Sequence, residues 1–360
     1  MTSPVTGDGD GDRAVMIDVR HLSRYYGPIP ALNDVSFQAY RGEIVGFLGP
    51  NGAGKTTAMR ILTGYMPPSS GQAFVAGHDV VEDSLAARRA TGYLPENTPL
   101  YMDMTVIGYL DFMARLRGVR NRAEEVERVM ARVAIDDRAD DLIGQLSKGL
   151  RQRVGIAQAL VHDPEVIVLD EPTIGLDPRQ IREVRGLIRE LGGDHTVLLS
   201  THILEEAEKV CDRILIIKQG RIAAVDAVEQ LARRARHGSE EFHVSVASGA
   251  EDAEVARFIA SVDGVTSVDA VADGRFHVVA DRERECRARI AQGVHERGWR
   301  LFELAPIELT LEDIYLQVTS EQDVPDVEGE AMEGGAMDDS VVEADAQAEE
   351  GSDGEEDEDG

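Results

Sequence analysis

Residues 146–177, LSKGLRQRVGIAQALVHDPEVIVLDEPTIGLD, decide the fold of this chain. They join a Ser-Gly loop that opens a helix to an apolar strand that ends in Asp170-Glu171. Backbone N–H groups at the start of a helix favour an anion, so the loop Ser147-Lys148-Gly149 is suited to bind one. A second loop suited to phosphate, GPNGAGKT, lies upstream at 49–56. Two anion sites and one nucleotide indicate that the second site serves a neighbouring subunit.

The upstream loop follows the apolar segment EIVGFLG at 43–49 and precedes a helical segment, which is the context that a phosphate-binding loop requires. Its glycines let backbone N–H groups approach phosphate oxygens, and Lys55 can reach the β- and γ-phosphates. The Thr56 hydroxyl suits Mg²⁺. We therefore predict that ATP is bound by Gly49, Pro50, Asn51, Gly52, Ala53, Gly54, Lys55, Thr56 and Thr57.

The segment VIVLDEP places two carboxylates at the carboxyl end of a buried strand, where open α/β sheets bind their ligands. Asp170 is predicted to hold Mg²⁺ directly or through water. Glu171 is predicted to polarise the attacking water as the general base. The pattern therefore predicts an enzyme that hydrolyses ATP.

Short apolar strands alternate with helices from residue 16, which predicts an α/β fold with a parallel sheet covered on both faces. Two helices with no strand are predicted between residues 95 and 145, as a helical subdomain. Beyond a boundary at 232–241 the order is β-α-β-β-α-β, which predicts a small α+β ferredoxin-like domain, and TLEDIYLQVT predicts a closing helix. The predicted segments are a disordered N-terminus at 1–15, an ATPase domain at 16–236, an accessory domain at 240–320 and a disordered acidic tail at 321–360. His243 and His277 lie in separate strands of the accessory domain and are interpreted as structural residues rather than as ligands.

Charge is unevenly placed along the chain. The net charge is −30, and residues 321–360 hold 18 acidic residues without Lys or Arg. Such a tail either keeps the protein soluble or has a docking or regulatory role. The excess of acidic residues argues against nucleic acid as a partner. The two cysteines fit a reducing cytosol. No signal peptide is evident and no apolar run approaches the roughly 20 residues of a membrane-spanning helix, so we expect any membrane role to go through a partner.

The segments GPNGAGKTT, LSKGLRQR, VIVLDEP, GLDP and STH occur in the order and spacing of ABC-type ATPases, and the chain resembles that family over about residues 16–236. The resemblance implies a homodimer, or a pair with another ATPase subunit, packed head to tail. Each ATP would then lie between the phosphate loop of one subunit and Ser147 and Gly149 of the other. It also implies that Asp177 lies at the subunit interface.

The same resemblance implies roles for three further positions. His202 would contact the γ-phosphate within its own subunit and act in catalysis with Lys55 and Glu171. Tyr26 would stack on the adenine, with Tyr25 as the alternative and a place in the core open for either residue.

The sequence departs from the common family pattern in two places. The usual signature LSGGQ is LSKGL here, and Glu96 stands where the family usually has a Gln that contacts Mg²⁺ or water. Because a carboxylate is a good ligand for a hard cation, Glu96 joins Thr56 and Asp170 as a predicted metal ligand. Lys148 of the partner subunit would offset part of the added negative charge, unless both changes are neutral drift.

Both departures and the C-terminal appendage resemble the ATPases of ABC-2-type exporters, among them gliding-motility and drug-resistance exporters. The resemblance implies a cytoplasmic motor subunit, peripheral on the inner face of the cell membrane, that drives a separately encoded permease. The alternative is a soluble mechanical or regulatory ATPase acting on a non-membrane partner. The segment PLYMDM at 99–104 either completes the subdomain core or lines a groove for a permease helix.

Overall fold

The computed structural model describes residues 13–227, 230, 239–247, 251–272, 274–281, 284–307 and 311–320. Residues 1–12, most of the predicted boundary at 232–241 and the acidic tail at 321–360 lie outside the described residues. Disorder of the two termini therefore stays a prediction.

A six-stranded sheet with the order β10-β9-β3-β8-β7-β6 forms the centre of the first domain. Its strands are β3 (Ile44–Leu48), β6 (Thr91–Leu94), β7 (Val166–Asp170), β8 (Thr196–Thr201), β9 (Arg213–Lys218) and β10 (Arg221–Asp226). Neighbours are parallel except for β9 and β10. Strands β3, β7 and β8 are buried throughout, because one face of the sheet packs against helices and the other packs against a second sheet and helical residues. The carboxyl ends of these three strands therefore meet at one edge.

A second, antiparallel sheet has the order β2-β1-β4-β5. Its strands are β1 (Val15–Tyr26), β2 (Ile29–Tyr40), β4 (Ser70–Val75) and β5 (His78–Asp79). The segments MIDVRHLS (16–23) and ALNDVSFQAY (31–40), in which apolar and polar residues alternate, lie in β1 and β2. Their apolar side chains share one core with residues of the first helix, such as Ile17 and Phe37 with Met59. This core fixes the strand and the helix that flank the phosphate loop.

Seven helices belong to this part of the described chain: α1 (Lys55–Leu62), α2 (Ser84–Arg89), α3 (Val106–Leu116), α4 (Arg122–Arg132), α5 (Lys148–Leu160), α6 (Pro178–Leu191) and α7 (Leu204–Val210). Residues 95–145, all of them described, hold α3, α4 and two short 3-10 turns at Asp136–Arg138 and Ile143–Gln145, with no strand. Helices α3 and α4 bury Val106, Leu110 and Val129 in the same core as α5. The segment is helical, as its periodicity predicts.

The C-terminal region forms a four-stranded antiparallel sheet with the order β12-β13-β11-β14. Its elements are β11 (Ser239–Ala247), α8 (Asp252–Ala260), β12 (Val265–Ala272), β13 (Arg275–Asp281), α9 (Cys286–Glu296) and β14 (Arg300–Pro306). Phe242, Val255 and Ile290 lie in a core shared by the sheet and both helices. The chain order and sheet order together give the ferredoxin-like arrangement that the sequence predicts.

His243 and His277 are directly paired on β11 and β13, and their ring centroids lie 6.0 Å apart. Nε2 of His277 lies 2.9 Å from a carboxylate oxygen of Glu241. No group of three or more His, Cys, Asp or Glu residues suited to a metal occurs among the described residues. The interpretation of the two histidines as structural residues stays a prediction.

The closing helix, α10 (Leu311–Ser320), packs against the first domain rather than against the accessory sheet. Leu311 and Ile314 are buried in the core cluster that includes Ala207 and Val210 of α7. The C-terminal helix thus touches the helix that follows His202. None of the helices in the described ranges has the length and apolar character needed to cross a membrane.

Candidate functional site

The phosphate loop connects β3 to α1, and α1 begins at Lys55. Gly54 has φ +108°, and a Cβ there would lie 2.3 Å from the carbonyl oxygen of Ala31, so this position requires glycine. The Lys55 side chain is buried, and its Nζ donates to the carbonyl of Gly49 at 2.8 Å. The ammonium therefore rests inside the loop, where phosphate oxygens would replace its carbonyl partner.

Asp170 ends β7 and is 1% exposed. Its Oδ1 accepts hydrogen bonds from Ser200 Oγ at 2.6 Å and from Thr56 Oγ1 at 3.4 Å. Its Oδ2 is buried and has no hydrogen-bond partner among the described residues. A buried, unpartnered carboxylate oxygen beside a hydroxyl is a donor set that fits Mg²⁺, which prefers oxygen ligands.

Glu171 lies between two cationic or potentially cationic side chains. Its Oε1 is 3.5 Å from Lys55 Nζ, and its Oε2 is 2.9 Å from Nδ1 of His202. The residue is buried and has φ +49°, a conformation that costs a non-glycine residue about 1–2 kcal/mol. This conformation is held by the hydrogen bond of the Glu171 backbone N–H to Ser200 Oγ at 3.0 Å.

These positions suit hydrolysis of a phosphoanhydride. Lys55 is placed to bind the γ-phosphate, and Glu171 is placed to take a proton from a water that attacks it. The bond to the leaving ADP would then break, and His202 would donate a hydrogen bond to the γ-phosphate. Mg²⁺ held by Thr56 and Asp170 would neutralise charge on the β- and γ-phosphates.

Tyr93 borders the same edge, one strand from Asp170. Burial chiefly, and the Asp170 carboxylate next, raise the pKa of the Tyr93 hydroxyl to about 12. Tyr93 therefore stays neutral and adds no charge beside Asp170. Glu96 follows three residues later, is exposed, and has no hydrogen bond or ion pair with any described residue. Its role as a metal ligand stays a prediction.

The signature residues form a second cluster. Ser147 caps the N-terminus of α5, and its Oγ accepts from the backbone N–H of Leu150 at 3.3 Å. Gly149 is buried, and a Cβ there would lie 2.6 Å from Cδ of Gln180. Gln180 in turn completes the capping box of α6 with Asp177. The signature loop and the start of α6 are thus packed together as one surface.

The Lys148 side chain crosses this surface. Its Nζ lies 2.0 Å from the point that a Cβ on Gly175 would occupy, so glycine makes room for the ammonium. Lys148 is exposed and has no ion pair with another described residue. An ammonium group without an ion pair to any described residue therefore lies next to Ser147 on this surface.

No hydrogen bond or ion pair among the described residues joins these two groups of predicted site residues. One group holds Lys55, Thr56, Asp170, Glu171 and His202, and the other holds Ser147, Gly149 and Asp177. The structure brings the members of each group together and leaves the groups without a direct link.

Tyr26, the predicted adenine-stacking residue, ends β1 and is 44% exposed. Its hydroxyl donates to Sδ of Met66 at 3.4 Å, and the Arg24 guanidinium lies 5.3 Å from its ring centroid. Tyr25 is equally exposed, so neither tyrosine is a core residue.

Sequence reasoning missed Ser200, the first residue of the segment STH. The sequence contained a signal for this residue, because Ser200 lies two residues before His202. In the structure it lies in the strand next to β7. The pairing of Ser200 with Asp170 depends on strand register, which the sequence alone leaves open.

Comparisons with known proteins agree with this geometry. A family model described as ABC transporter matches residues 32–174. The chain is 34% identical over 314 residues to the daunorubicin resistance ATP-binding protein DrrA3 of Streptomyces coeruleorubidus, across 86% of this chain and 97% of that protein. It is 38% identical over 218 residues to the Nod factor export ATP-binding protein I of Burkholderia orbicola, across 60% of this chain and 72% of that protein.

A solved structure adds a likeness in three dimensions. It is the dimeric post-hydrolysis state of the ATP-binding cassette MJ0796 bound to ADP and Pi. The match has a TM-score of 0.54 and 25% identity, and it covers 59% of this chain and 98% of that one.

Proposed function

This chain belongs to the ATP-binding subunits of ABC transporters and is an ATPase, and from that premise we propose that it is the motor of an exporter. ATP with Mg²⁺ joins two subunits head to tail, and hydrolysis drives a separately encoded ABC-2-type permease. The permease holds the subunit at the cytoplasmic face of the membrane.

The separation of the two site clusters carries this proposal. Lys55, Glu171 and His202 form one half of a nucleotide site, whereas Ser147 and Gly149 present an anion-binding helix start elsewhere on the same subunit. In a head-to-tail dimer, the half-site of one subunit is completed by Ser147 and Gly149 of the other subunit. Closure surrounds the triphosphate with fixed donors and excludes water, which favours the charge distribution of the transition state.

An ATP-driven dimer is tested with Glu171→Gln, which removes the general base. The variant is expected to bind ATP, to lose at least about 100-fold in turnover and to sediment as a dimer with ATP. Adding Ser147→Ala should restore the monomer, whereas Ser261→Ala, at the end of α8 in the accessory domain, should leave the dimer intact. A Glu171→Gln protein that binds ATP and stays monomeric contradicts the shared site.

An exposed apolar surface on the helical subdomain supports a permease partner. Tyr101 is 51% exposed and packs on Tyr109 and Phe112, with ring centroids 5.9 Å away in both cases. Met102 is also exposed, whereas Met104 packs against the subdomain core. The segment PLYMDM thus contributes Met104 to the subdomain core, and its exposed side chains are suited to a helix of the proposed partner.

Charged substitutions on this surface test whether a permease binds there. Tyr101→Asp with Met102→Asp should abolish co-purification with a permease encoded in the adjacent reading frame, and ATP hydrolysis by the free subunit should persist. Val271→Asp, at an exposed apolar residue of the accessory sheet, is the matched control. If the adjacent frames encode no protein with about six spanning helices, or if co-purification survives, the soluble mechanical ATPase becomes the better account.

A further inference from the structure

Ser200 is a fully buried hydroxyl at the junction of the two catalytic carboxylates. It lies in β8 directly opposite Asp170 of β7. Its Oγ donates to Asp170 Oδ1 at 2.6 Å and accepts from the backbone N–H of Glu171 at 3.0 Å. The Ser200 carbonyl also accepts from that N–H, at 3.2 Å.

The contacts of this hydroxyl decide which oxygen of Asp170 is free. Oδ1 accepts from both Ser200 and Thr56, while Oδ2 is buried without a partner among the described residues. A charged oxygen in that state is costly unless a cation or a donor reaches it. The Ser200 hydroxyl therefore occupies Oδ1 and leaves Oδ2 as the oxygen without a partner among the described residues.

The same hydroxyl also fixes the backbone of the general base. Glu171 has φ +49°, which is unfavourable for a residue with a Cβ, and its N–H is anchored twice by Ser200. That backbone sends the carboxylate between Lys55 and His202. Because a single hydroxyl donates to the Asp170 carboxylate and accepts from the Glu171 backbone, a change at Ser200 reaches both residues.

We propose that Ser200 is a positioning residue that sets the metal-facing oxygen of Asp170 and the backbone of Glu171 together. Because its side chain is fully buried, its role is exerted through these two residues rather than by contact with ATP. The inference rests on the proposed Mg²⁺-dependent hydrolysis and names the residue that aligns its two carboxylates. Partners of metal ligands commonly change metal affinity or activity by about 10–100-fold when removed.

The test compares loss of two buried hydroxyls on the same strand. Thr196 lies in β8, is 1% exposed, accepts from Gly42 N–H at 3.1 Å and donates to the Tyr40 carbonyl at 3.2 Å. Thr196 has the same number of side-chain hydrogen bonds as Ser200. It lies four residues from Ser200, or roughly 13 Å along the strand. Thr196→Val and Ser200→Ala therefore both remove a buried hydroxyl, and only Ser200→Ala removes one beside the carboxylates.

Two measurements are made on the full chain. The first is the Mg²⁺ concentration that half-saturates ATP hydrolysis. The second needs no turnover: it is the Mg²⁺ concentration at which a non-hydrolysable ATP analogue raises the melting temperature. Ser200→Ala is expected to raise both about 10-fold and to lower kcat about 10-fold, Ser200→Thr to restore both Mg²⁺ values, and Thr196→Val to leave them unchanged.

Equal Mg²⁺ dependence in Ser200→Ala and Thr196→Val would overturn the inference. The loss of a buried hydroxyl would then affect only the stability of the fold and not the Mg²⁺ site. A folded Ser200→Thr protein that behaves like Ser200→Ala would overturn it as well. If the unaltered protein itself hydrolyses no ATP with Mg²⁺, the proposed function fails instead, so the two failures are distinct.

Discussion

Replacing His162 by Gln should reduce the loss of stability of this protein between pH 7.5 and pH 5.5. His162 lies just beyond α5, its Nε2 is 3.1 Å from the carbonyl of Thr91, and its Nδ1 is buried without a hydrogen-bond partner in the described part of the chain. Burial, with the Arg117 guanidinium second, lowers the pKa of the ring to about 4. The folded protein therefore holds this ring neutral.

The sign follows from the two pKa values. The folded value lies below the ordinary value of 6.5, so the unfolded chain takes up a proton first as the pH falls. The stabilisation is complete above pH 6.5 and is lost as the pH falls from 6.5 towards 4. Integration from pH 7.5 to 5.5 gives about 1.3 kcal/mol, and partial exposure of the ring reduces this to about 1 kcal/mol.

Urea unfolding at the two pH values measures the effect. A Gln side chain can still donate to the Thr91 carbonyl, but it does not titrate, so His162→Gln is the control for every other titrating group. The unaltered protein should lose about 1 kcal/mol more than the variant over this pH interval. Equal losses in the two proteins would refute the reasoning.

Three further predictions test other parts of the structure. Gly149→Ala places a Cβ 2.6 Å from a side chain of α6 and should weaken ATP-dependent dimerisation of the Glu171→Gln protein about 10-fold, as sedimentation would show; unchanged dimerisation would remove Gly149 from the interface. Ile314→Ala should lower the free energy of unfolding by about 2–4 kcal/mol in urea, and a change near zero would contradict the packing of α10 on the first domain. Tyr26→Ala should lower the affinity for a fluorescent ATP analogue about 10-fold while Tyr25→Ala leaves it unchanged, and the reverse result would move adenine stacking to Tyr25.

Much of the site was predictable because its residues lie in short motifs at the ends of strands. The sequence places Lys55 after β3, Glu171 after β7 and His202 after β8. Parallel strands bring their carboxyl ends to one edge, so a correct assignment of the strands was enough to predict that these side chains meet. In the structure the Glu171 carboxylate lies 3.5 Å from Lys55 Nζ and 2.9 Å from His202 Nδ1.

Other features were not predictable because they depend on contacts between distant segments. The inward packing of Met104 and the outward face of Tyr101 follow from how the subdomain folds on itself. The packing of α10 against α7 joins residues about a hundred positions apart, and its amphipathic sequence does not say which core receives it. Because the hydrophobic effect is not directional, an apolar helix face can pack into more than one core. Only the folded structure shows which core it enters.

By itself the sequence determined the nucleotide chemistry of this protein, because phosphate loops, strand-end carboxylates and helix starts are local and carry their geometry with them. Only the tertiary structure decided how the parts are aligned. Strand register placed Ser200 opposite Asp170, left Oδ2 unpaired and anchored the strained backbone of Glu171. A shift of one residue would turn that hydroxyl to the other face of the sheet, and register is fixed by the packing of the whole sheet rather than by any single motif.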